Sequence, residues 1–185
     1  MIGCLGLFPS LLRWFSLQIL QQAHKKQVEF LLRFPRKGFF KLQLYALPAE
    51  NHDDSPTRVY SYLIEASTCY QMHGPIVPFP KQSHRWRRGC YLKTPIDGIL
   101  GLDDNGKLSG KPPRGLPFSV SVPNAIAVAV VVGDECTALN SEADRWKGNV
   151  HMKQHWGKEK KLTVRAKYSA SDTEYSTLLE YSLAS

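Results

Sequence analysis

The sequence predicts an all-β fold in which a complete β-sandwich follows a partial one, with a short N-terminal helix. The main evidence is a repeat: the segment YSYLIE (Tyr60–Glu65) returns as YSTLLE (Tyr175–Glu180). The segment KLQLYA (Lys41–Ala46) likewise returns as KLTVRA (Lys161–Ala166), so that two elements recur in the same order. Apolar and polar residues alternate in these elements, which is the period of a strand with one buried face.

Each copy of the repeat is predicted to be a β-hairpin. Its two strands are separated by a polar connection, PAENHDDSPTR in the first copy and the shorter SASDTE in the second, and residues of these types are typical of turns. The repeat therefore predicts that each half of the chain closes a sandwich with a final antiparallel strand pair. It also predicts that the inward side chains match, so that Leu63 and Leu178 lie in similar surroundings.

Residues 81–185 are predicted to form the complete unit, of roughly a hundred residues, which is the size of an immunoglobulin-like sandwich. The run AIAVAVVV, rich in β-branched valine and bounded by turn residues, predicts a central strand buried on both faces. The segment Asp97–Gly115 is rich in Gly, Asp and Pro and predicts an exposed loop. The strands predicted in this unit are Cys90–Leu92, Phe118–Val122, Ala125–Val132 and Trp146–Met152.

The chain of 185 residues divides into four predicted segments. Residues 28–70 are predicted to form a partial immunoglobulin-like unit, because too few residues precede its hairpin to supply the leading strands. Residues 71–80 are predicted to be a Pro-rich linker to the complete unit, residues 81–185. Residues 1–27 are predicted to be an N-terminal amphipathic segment.

The N-terminal segment predicts an amphipathic helix from Ser10 to Gln22, because its apolar residues recur at helical spacing. A signal peptide is not expected, since no basic region precedes the apolar stretch. A membrane span is not expected either, since Arg13 would lie near its middle. Two roles stay open for the helix: covering the open sheet of the partial unit, which we favour, or lying on a membrane surface. The apolar residues of the helix are Leu11, Leu12, Phe15, Ile19 and Leu20.

The chain is basic, with 24 Lys and Arg against 16 Asp and Glu and a net charge of +8. The basic residues concentrate in Lys81–Lys93 and in Arg145–Lys167, with Trp86 and Trp156 nearby. Cations interleaved with aromatic rings are typical of nucleic-acid-binding surfaces. No RNA-recognition, zinc-finger or helix-turn-helix pattern accompanies them, so we favour a solvated basic rim and do not expect nucleic-acid binding.

The histidines and cysteines predict no metal site. The pairs Cys69 with His73 and His84 with Cys90 lack further ligands nearby. A second histidine pair, formed by residues 151 and 155, lacks the glutamate of a zinc helix and falls in a strand-and-turn context. No metal, cofactor-binding or catalytic residue is therefore predicted, and an enzyme is not expected.

The four cysteines, Cys4, Cys69, Cys90 and Cys136, contain no C-x-x-C pair. Two of them, Cys90 and Cys136, are positioned in the complete unit so that an inter-sheet disulfide is one interpretation. We favour free thiols, because buried free cysteines are common in a reducing compartment.

Three segments resemble the immunoglobulin-like repeats that follow the transglutaminase-like domain in the kyphoscoliosis peptidase family, to which hillarin also belongs. Two lie in or beside the complete unit: PFPKQSHRWRRGCYLKTP (Pro78–Pro95), which is followed by the strand at Pro117–Pro123, and KLTVRAKYSASDTEYSTLLEYSL near the end of the chain. The third, FPRKGFFKLQLYA through VYSYLIEA, resembles the tail of the preceding repeat. Family members carry a catalytic Cys, His and Asp in the transglutaminase-like domain. That domain has no counterpart here, so no catalytic residue is carried over.

The resemblance implies a non-catalytic interaction or scaffold module with a protein partner, located in the cytoplasm and, by analogy, at the cytoskeleton. The alternative is the C-terminal accessory part of a transglutaminase-like cysteine peptidase whose catalytic domain is missing from this chain. The chain resembles a fragment, and its partial unit is predicted to leave a sheet open. Self-association through that sheet is therefore expected, whereas membrane binding and a cofactor are not.

Overall fold

The computed structural model describes residues 18–24, 26–46, 57–67, 77–103, 107, 109, 115–156, 158 and 161–184. Nearly all of the regular structure in these residues is β-strand, and a single 3-10 turn lies at Trp86–Arg88. The all-β class predicted from the sequence is therefore confirmed. Across these residues, no helix combines the length and the apolar character needed to cross a bilayer.

Fourteen strands are present in the described residues, and they form four sheets. The first four strands are β1 (Gln18–His24), β2 (Gln27–Arg33), β3 (Gly38–Ala46) and β4 (Thr57–Ala66). The others are β5 (Lys81–Gln82), β6 (Tyr91–Thr94), β7 (Ile99–Leu100), β8 (Leu116–Ser121), β9 (Ala127–Val132), β10 (Glu135–Ala138), β11 (Asn140–Glu142), β12 (Arg145–Val150), β13 (Lys161–Lys167) and β14 (Ser176–Leu183).

Strands β5 to β14 build a sandwich of two sheets. One sheet has the order β10-β9-β13-β14-β5, with β7 paired in parallel to β14, and the other has the order β11-β12-β8-β6. From β8 to β14 the chain therefore changes sheet three times: between β8 and β9, between β10 and β11, and between β12 and β13. In this arrangement β6, β8 and β12 oppose β9, β13 and β14, as strands A, B and E oppose C, F and G in immunoglobulin-like domains. The predicted immunoglobulin-like sandwich is thereby confirmed.

The core of the sandwich forms where the apolar faces of the two sheets meet. β13 has the predicted period of two, because Leu162 and Val164 are buried while the residue between them is half-buried. The rings of Phe118 and Tyr181 pack edge to face with their centroids 5.8 Å apart, an arrangement that aromatic pairs favour. Tyr181 is fully buried, and its hydroxyl donates a hydrogen bond of 3.0 Å to the carbonyl oxygen of Pro95.

The four strands predicted in the complete unit are all present, and only their ends differ. Cys90–Leu92 corresponds to β6, Phe118–Val122 to β8, Ala125–Val132 to β9 and Trp146–Met152 to β12. The run Val128–Val130 is buried throughout, which confirms that both faces of β9 are covered over its central part.

One predicted loop contains a strand. The sequence predicts an exposed loop over Asp97–Gly115, but Ile99–Leu100 form β7 within it. β7 pairs in parallel with Ser182 and Leu183 of β14, and Leu100 belongs to the core. A two-residue strand is too short to show an alternating pattern, and the loop-forming composition of the segment therefore dominated the prediction.

The predicted N-terminal helix is wrong for the residues that the structure describes. Gln18–His24 form β1, which pairs antiparallel with β2 from Gln18 with Arg33 to His24 with Gln27. The rest of the predicted helix, residues 10–17, lies outside the described residues. The apolar spacing that predicted a helix included Ile19 and Leu20, but only Leu20 enters the core.

β1 lies against the sandwich of the second unit, so the predicted role of covering the open sheet of the first unit is wrong for these residues. Leu20 is fully buried in the same core cluster as Trp86. The indole Nε1–H of Trp86 donates a hydrogen bond of 2.8 Å to the carbonyl oxygen of Gln21. The backbone N–H of Ala23 donates one of 2.9 Å to the carbonyl oxygen of Cys90.

Two glutamine side chains extend the hydrogen bonding of β1 towards the second unit. The amide of Gln82 accepts a hydrogen bond of 3.0 Å from the N–H of Gln21 and donates one of 2.9 Å to the carbonyl oxygen of Ile19. The side-chain oxygen of Gln22 accepts a hydrogen bond of 3.2 Å from the N–H of Leu92. Buried backbone groups need hydrogen-bond partners. The amides of Gln82 and Gln22 supply such partners, and so they lower the cost of burying the edge of β1.

Arg33 fixes the end of β2 to the same unit. Its Nη2 atom lies 2.6 Å from Oδ1 of Asp97, and its Nη1 atom donates a hydrogen bond to the carbonyl oxygen of Val77. The guanidinium carbon also lies 4.2 Å from the ring centroid of Phe79, which is a cation–π contact. The β1–β2 hairpin is therefore held to the second unit at both of its strands.

β3 and β4 form a two-stranded antiparallel sheet, here called the β3–β4 ribbon, and β13 and β14 form the equivalent pair in the second unit. Both predicted hairpin strand pairs are therefore confirmed. Each pair also has a β-bulge, which falls at equivalent places in the first strands, after Leu44 in β3 and after Val164 in β13, but leaves out residues that are not equivalent in the second strands, Val59 and Leu178.

The predicted match of inward side chains between the two pairs is wrong. Leu63 is 75% exposed, whereas Leu178 is fully buried. The register also differs: Leu42 pairs with Tyr62, but the equivalent of Leu42 in β13 pairs with Tyr181, four residues beyond the equivalent of Tyr62. A second sheet covers β14 in the sandwich, and this tertiary context outweighs the similarity of the two sequences.

We expect Leu20→Ala to lower the free energy of unfolding of the sandwich by about 2–5 kcal/mol, because it removes a fully buried side chain from the core. Urea denaturation followed by tryptophan fluorescence measures this change. Leu63→Ala is the matched control, and because Leu63 is 75% exposed we expect an effect within about 0.5 kcal/mol. Equal effects of the two substitutions would contradict the placement of β1 in this core.

Candidate interaction surface

The β3–β4 ribbon has two strand edges that pair with no other strand in the part of the chain that the structure describes. Within the described residues β3 and β4 pair only with each other, whereas β13 also pairs with β9, and β14 also pairs with β5 and β7. β4 is 10 residues long, so its free edge presents an extended row of backbone groups. Unpaired N–H and C=O groups along a strand are a template for pairing with another chain.

One face of the ribbon consists of apolar and aromatic side chains alone. Paired residues of antiparallel strands share a face, so the composition of this face follows from the register. Its centre is Leu42, which is 5% exposed, and the rings of Tyr60 and Tyr62 lie 4.8 Å apart beside it. The pairs on this face are Phe40 with Ile64, Leu42 with Tyr62 and Leu44 with Tyr60.

β4 is the more exposed strand of the ribbon. Every residue of Thr57–Leu63 is exposed, whereas most of β3 is half-buried. Clustered apolar exposure of this kind marks interaction sites, while single exposed apolar residues carry no such meaning. The large hydrophobic side chains exposed on the ribbon lie on both faces: Tyr60 (59%) and Tyr62 (46%) on the apolar face, Phe39 (68%) and Leu63 (75%) on the opposite face, and Val59 (55%) at the bulge.

The basic segment Lys81–Lys93 contains Trp86, which the sequence pattern suggested could stack on bases, but this side chain is not accessible. Trp86 is fully buried in the core, so its ring has no exposed face. Among the neighbouring cations, Arg85 lies 5.5 Å from the ring centroid of Tyr168, and Nη2 of Arg88 lies 2.9 Å from Nε2 of His84. The arginines of this segment are therefore exposed at the surface, and the buried indole of Trp86 anchors the segment to the core.

The histidine and cysteine pairs singled out in the sequence do not assemble a metal site in the described part of the chain, where no group of three or more His, Cys, Asp or Glu residues is placed to hold an ion. Nε2 of His155 lies 2.7 Å from Oε2 of Glu135, which makes an ion pair when the histidine is protonated. Cys69 and His73 lie outside the described residues.

Cys90 and Cys136 are free thiols, so the alternative of an inter-sheet disulfide between them is wrong. Cys90 is buried, and burial raises the pKa of its thiol from 9.0 to about 12. Because the thiolate is the reactive form of cysteine, Cys90 is inert at neutral pH. Cys136 lies exposed on β10.

The comparison with protein families concerns the part of the chain that contains the ribbon. Residues 15–80 match the family model of the KY-like, immunoglobulin-like domain. This KY-like segment takes in β1 to β4, and the match confirms the resemblance to the immunoglobulin-like repeats of the kyphoscoliosis peptidase family for the first part of the chain. No curated protein matches the chain. Beyond the KY-like segment, the immunoglobulin-like assignment depends on the topology of β5 to β14.

We expect Cys136 to react with a thiol reagent in the folded protein and Cys90 to react only after unfolding. Since the pKa of Cys90 is about 12, raising the pH from 7 to about 9 leaves it protonated, so its labelling stays negligible over that range. Mass spectrometry of protein labelled with iodoacetamide measures this, with Cys136→Ser as the control. Labelling of Cys90 at the rate of Cys136 in folded protein would contradict the buried position.

Proposed function

We propose that this chain is a non-catalytic, immunoglobulin-like interaction module of a kyphoscoliosis-peptidase-like protein, and that it binds protein partners through the β3–β4 ribbon. The observation that carries the proposal is the coincidence, on β4, of exposed apolar side chains with a strand edge that pairs with no other strand of the described residues. An exposed edge pairs with an extended segment through backbone hydrogen bonds, and neighbouring side chains supply specificity.

The composition of the ribbon favours a protein partner. Its exposed aromatic residues Phe39, Tyr60 and Tyr62 are of the types enriched at the centres of protein interfaces. Charged side chains are few on β4, where Arg58 lies near one end and Glu65 near the other. A phosphate backbone requires a cationic surface, so the ribbon suits an apolar strand of a protein better than a nucleic acid.

The non-catalytic part of the proposal is supported by the state of Cys90. A nucleophilic cysteine needs an activating base and a lowered pKa, whereas burial raises the pKa of Cys90 to about 12. The proposed location is the cytoplasm, at the cytoskeleton. This location is supported only by analogy with the kyphoscoliosis peptidase family, to whose immunoglobulin-like domain residues 15–80 are similar.

Site-specific photo-crosslinking in cells tests the proposal. A photoreactive amino acid at position 63, where Leu63 is 75% exposed, is expected to form covalent protein adducts several times more efficiently than one at position 126, where Ile126 is 52% exposed on the second unit. Leu63 and Ile126 are both large, exposed apolar side chains. They differ chiefly in that Leu63 lies on a strand with one edge unpaired in the described residues. Equal or negligible adduct formation at the two positions would contradict the proposed role of the ribbon.

Purified protein provides a separate test of the non-catalytic assignment. We expect no hydrolysis of casein and no amine incorporation into glutamine substrates above the level of a buffer blank. Activity that disappears in the Cys136→Ser variant would overturn this part of the proposal, because Cys136 is the exposed thiol of the described residues.

A further inference from the structure

We infer that the partner of the ribbon is a second copy of this chain, which pairs antiparallel through β4 about Tyr62 and so creates a continuous four-stranded sheet. The inference rests on the proposed role of the ribbon as an interaction surface and names its occupant. β4 is chosen over β3 because its residues Thr57–Leu63 are all exposed.

Symmetry limits the registers in which two copies of β4 can pair. A two-fold axis perpendicular to the sheet leaves each side chain on its own face, and residues paired across antiparallel strands share a face. Adjacent residues of one strand point to opposite faces. The axis must therefore pass through a residue that pairs with itself, and it cannot pass between two residues.

The bulge of the ribbon decides which face carries Arg58. Leu44 pairs with Tyr60, and the next pair is Tyr45 with Arg58, so that Val59 is left out of the ladder. A bulge of this kind shifts the alternation by one residue. Arg58 consequently lies on the same face as Glu65, although seven positions along a regular strand would place them on opposite faces.

Pairing about Tyr62 brings the two opposite charges of β4 together. With Val59 left out of the ladder in each copy, Arg58 of one copy lies directly opposite Glu65 of the other, and the symmetry repeats this ion pair at the other end. A shift of the axis to Ser61 would place Arg58 opposite Leu63 instead. Charge complementarity therefore selects both the second copy as the occupant and Tyr62 as the centre. The remaining pairs are Tyr60 with Ile64, Ser61 with Leu63 and Thr57 with Ala66.

Disulfide trapping tests the register directly. In a background of Cys4→Ser, Cys69→Ser and Cys136→Ser, we expect Tyr62→Cys to form a covalent dimer under mild oxidation, because position 62 faces itself within disulfide reach. Cys90 stays in this background because it is buried. Tyr60→Cys and Ile64→Cys are the matched controls: neither alone crosslinks, and the double variant does. A dimer trapped by Tyr60→Cys alone, or none by Tyr62→Cys, would overturn the register.

Charge reversal tests the ion pairs by sedimentation equilibrium. Arg58→Glu and Glu65→Arg are each expected to raise the dimer dissociation constant roughly tenfold, because each creates two like-charge contacts per dimer. The double reversal restores the dimer. Failure of the double variant to recover would count against the pairing, and circular dichroism identical to that of the parent protein confirms that each variant is folded.

The outcomes separate this inference from the proposed function. The wild-type chain could sediment as a monomer up to millimolar concentration and still give photo-adducts with other proteins at position 63. This result would overturn the inference that the partner is a second copy, and it would leave the proposed interaction module intact. A monomer without adducts at position 63 would overturn both. A dimer trapped through Tyr62→Cys, together with self-adducts at position 63, supports both.

Discussion

The placement of β1 is the constraint on which the rest of the arrangement depends. Leu20 fills part of the core of the second unit, and the buried indole of Trp86 donates a hydrogen bond to the backbone of β1. A strand can complete only one core at a time. The KY-like segment packs its first strand against the neighbouring sandwich, and within the described residues its last two strands pair only with each other. On the apolar face of the ribbon, Tyr60 and Tyr62 therefore stay exposed beside the buried Leu42.

The two copies of the repeat show how strongly tertiary context governs a strand. Leu162 in β13 is fully buried and Leu42, its equivalent, is 5% exposed, so the first strands of the two pairs behave alike. The second strands differ, because Leu178 meets the opposing sheet whereas Leu63 meets solvent. Similar sequence therefore favours the same strands in both copies, and the neighbouring layers decide which side chains become core.

Much of the fold was predictable, because period-two alternation, valine-rich runs and turn residues are local signals. The ribbon was predictable in part, since the repeat indicated its two strands but not the four-residue difference in register between the two pairs. β1 was not predictable, because the position of Leu20 at helical spacing outweighed weak strand signals. Its stabilising contacts come from Gln82 and Trp86, far along the chain, and long-range hydrogen bonds leave no pattern in the local sequence.

Charges on an edge strand normally oppose association with another strand. On β4 their arrangement favours association with a second copy instead. Like charges would repel any second strand, but Arg58 and Glu65 have opposite signs near opposite ends of one strand. Parallel pairing would set arginine beside arginine and glutamate beside glutamate, whereas antiparallel pairing sets each beside its opposite. The contact is also isologous, which means that both copies use the same β4 edge and that this edge is fully paired in the dimer. Further growth would require the edge of β3, which is half-buried over most of its length. The same two side chains thus specify direction and register, and the burial of β3 favours a closed pair over a fibre.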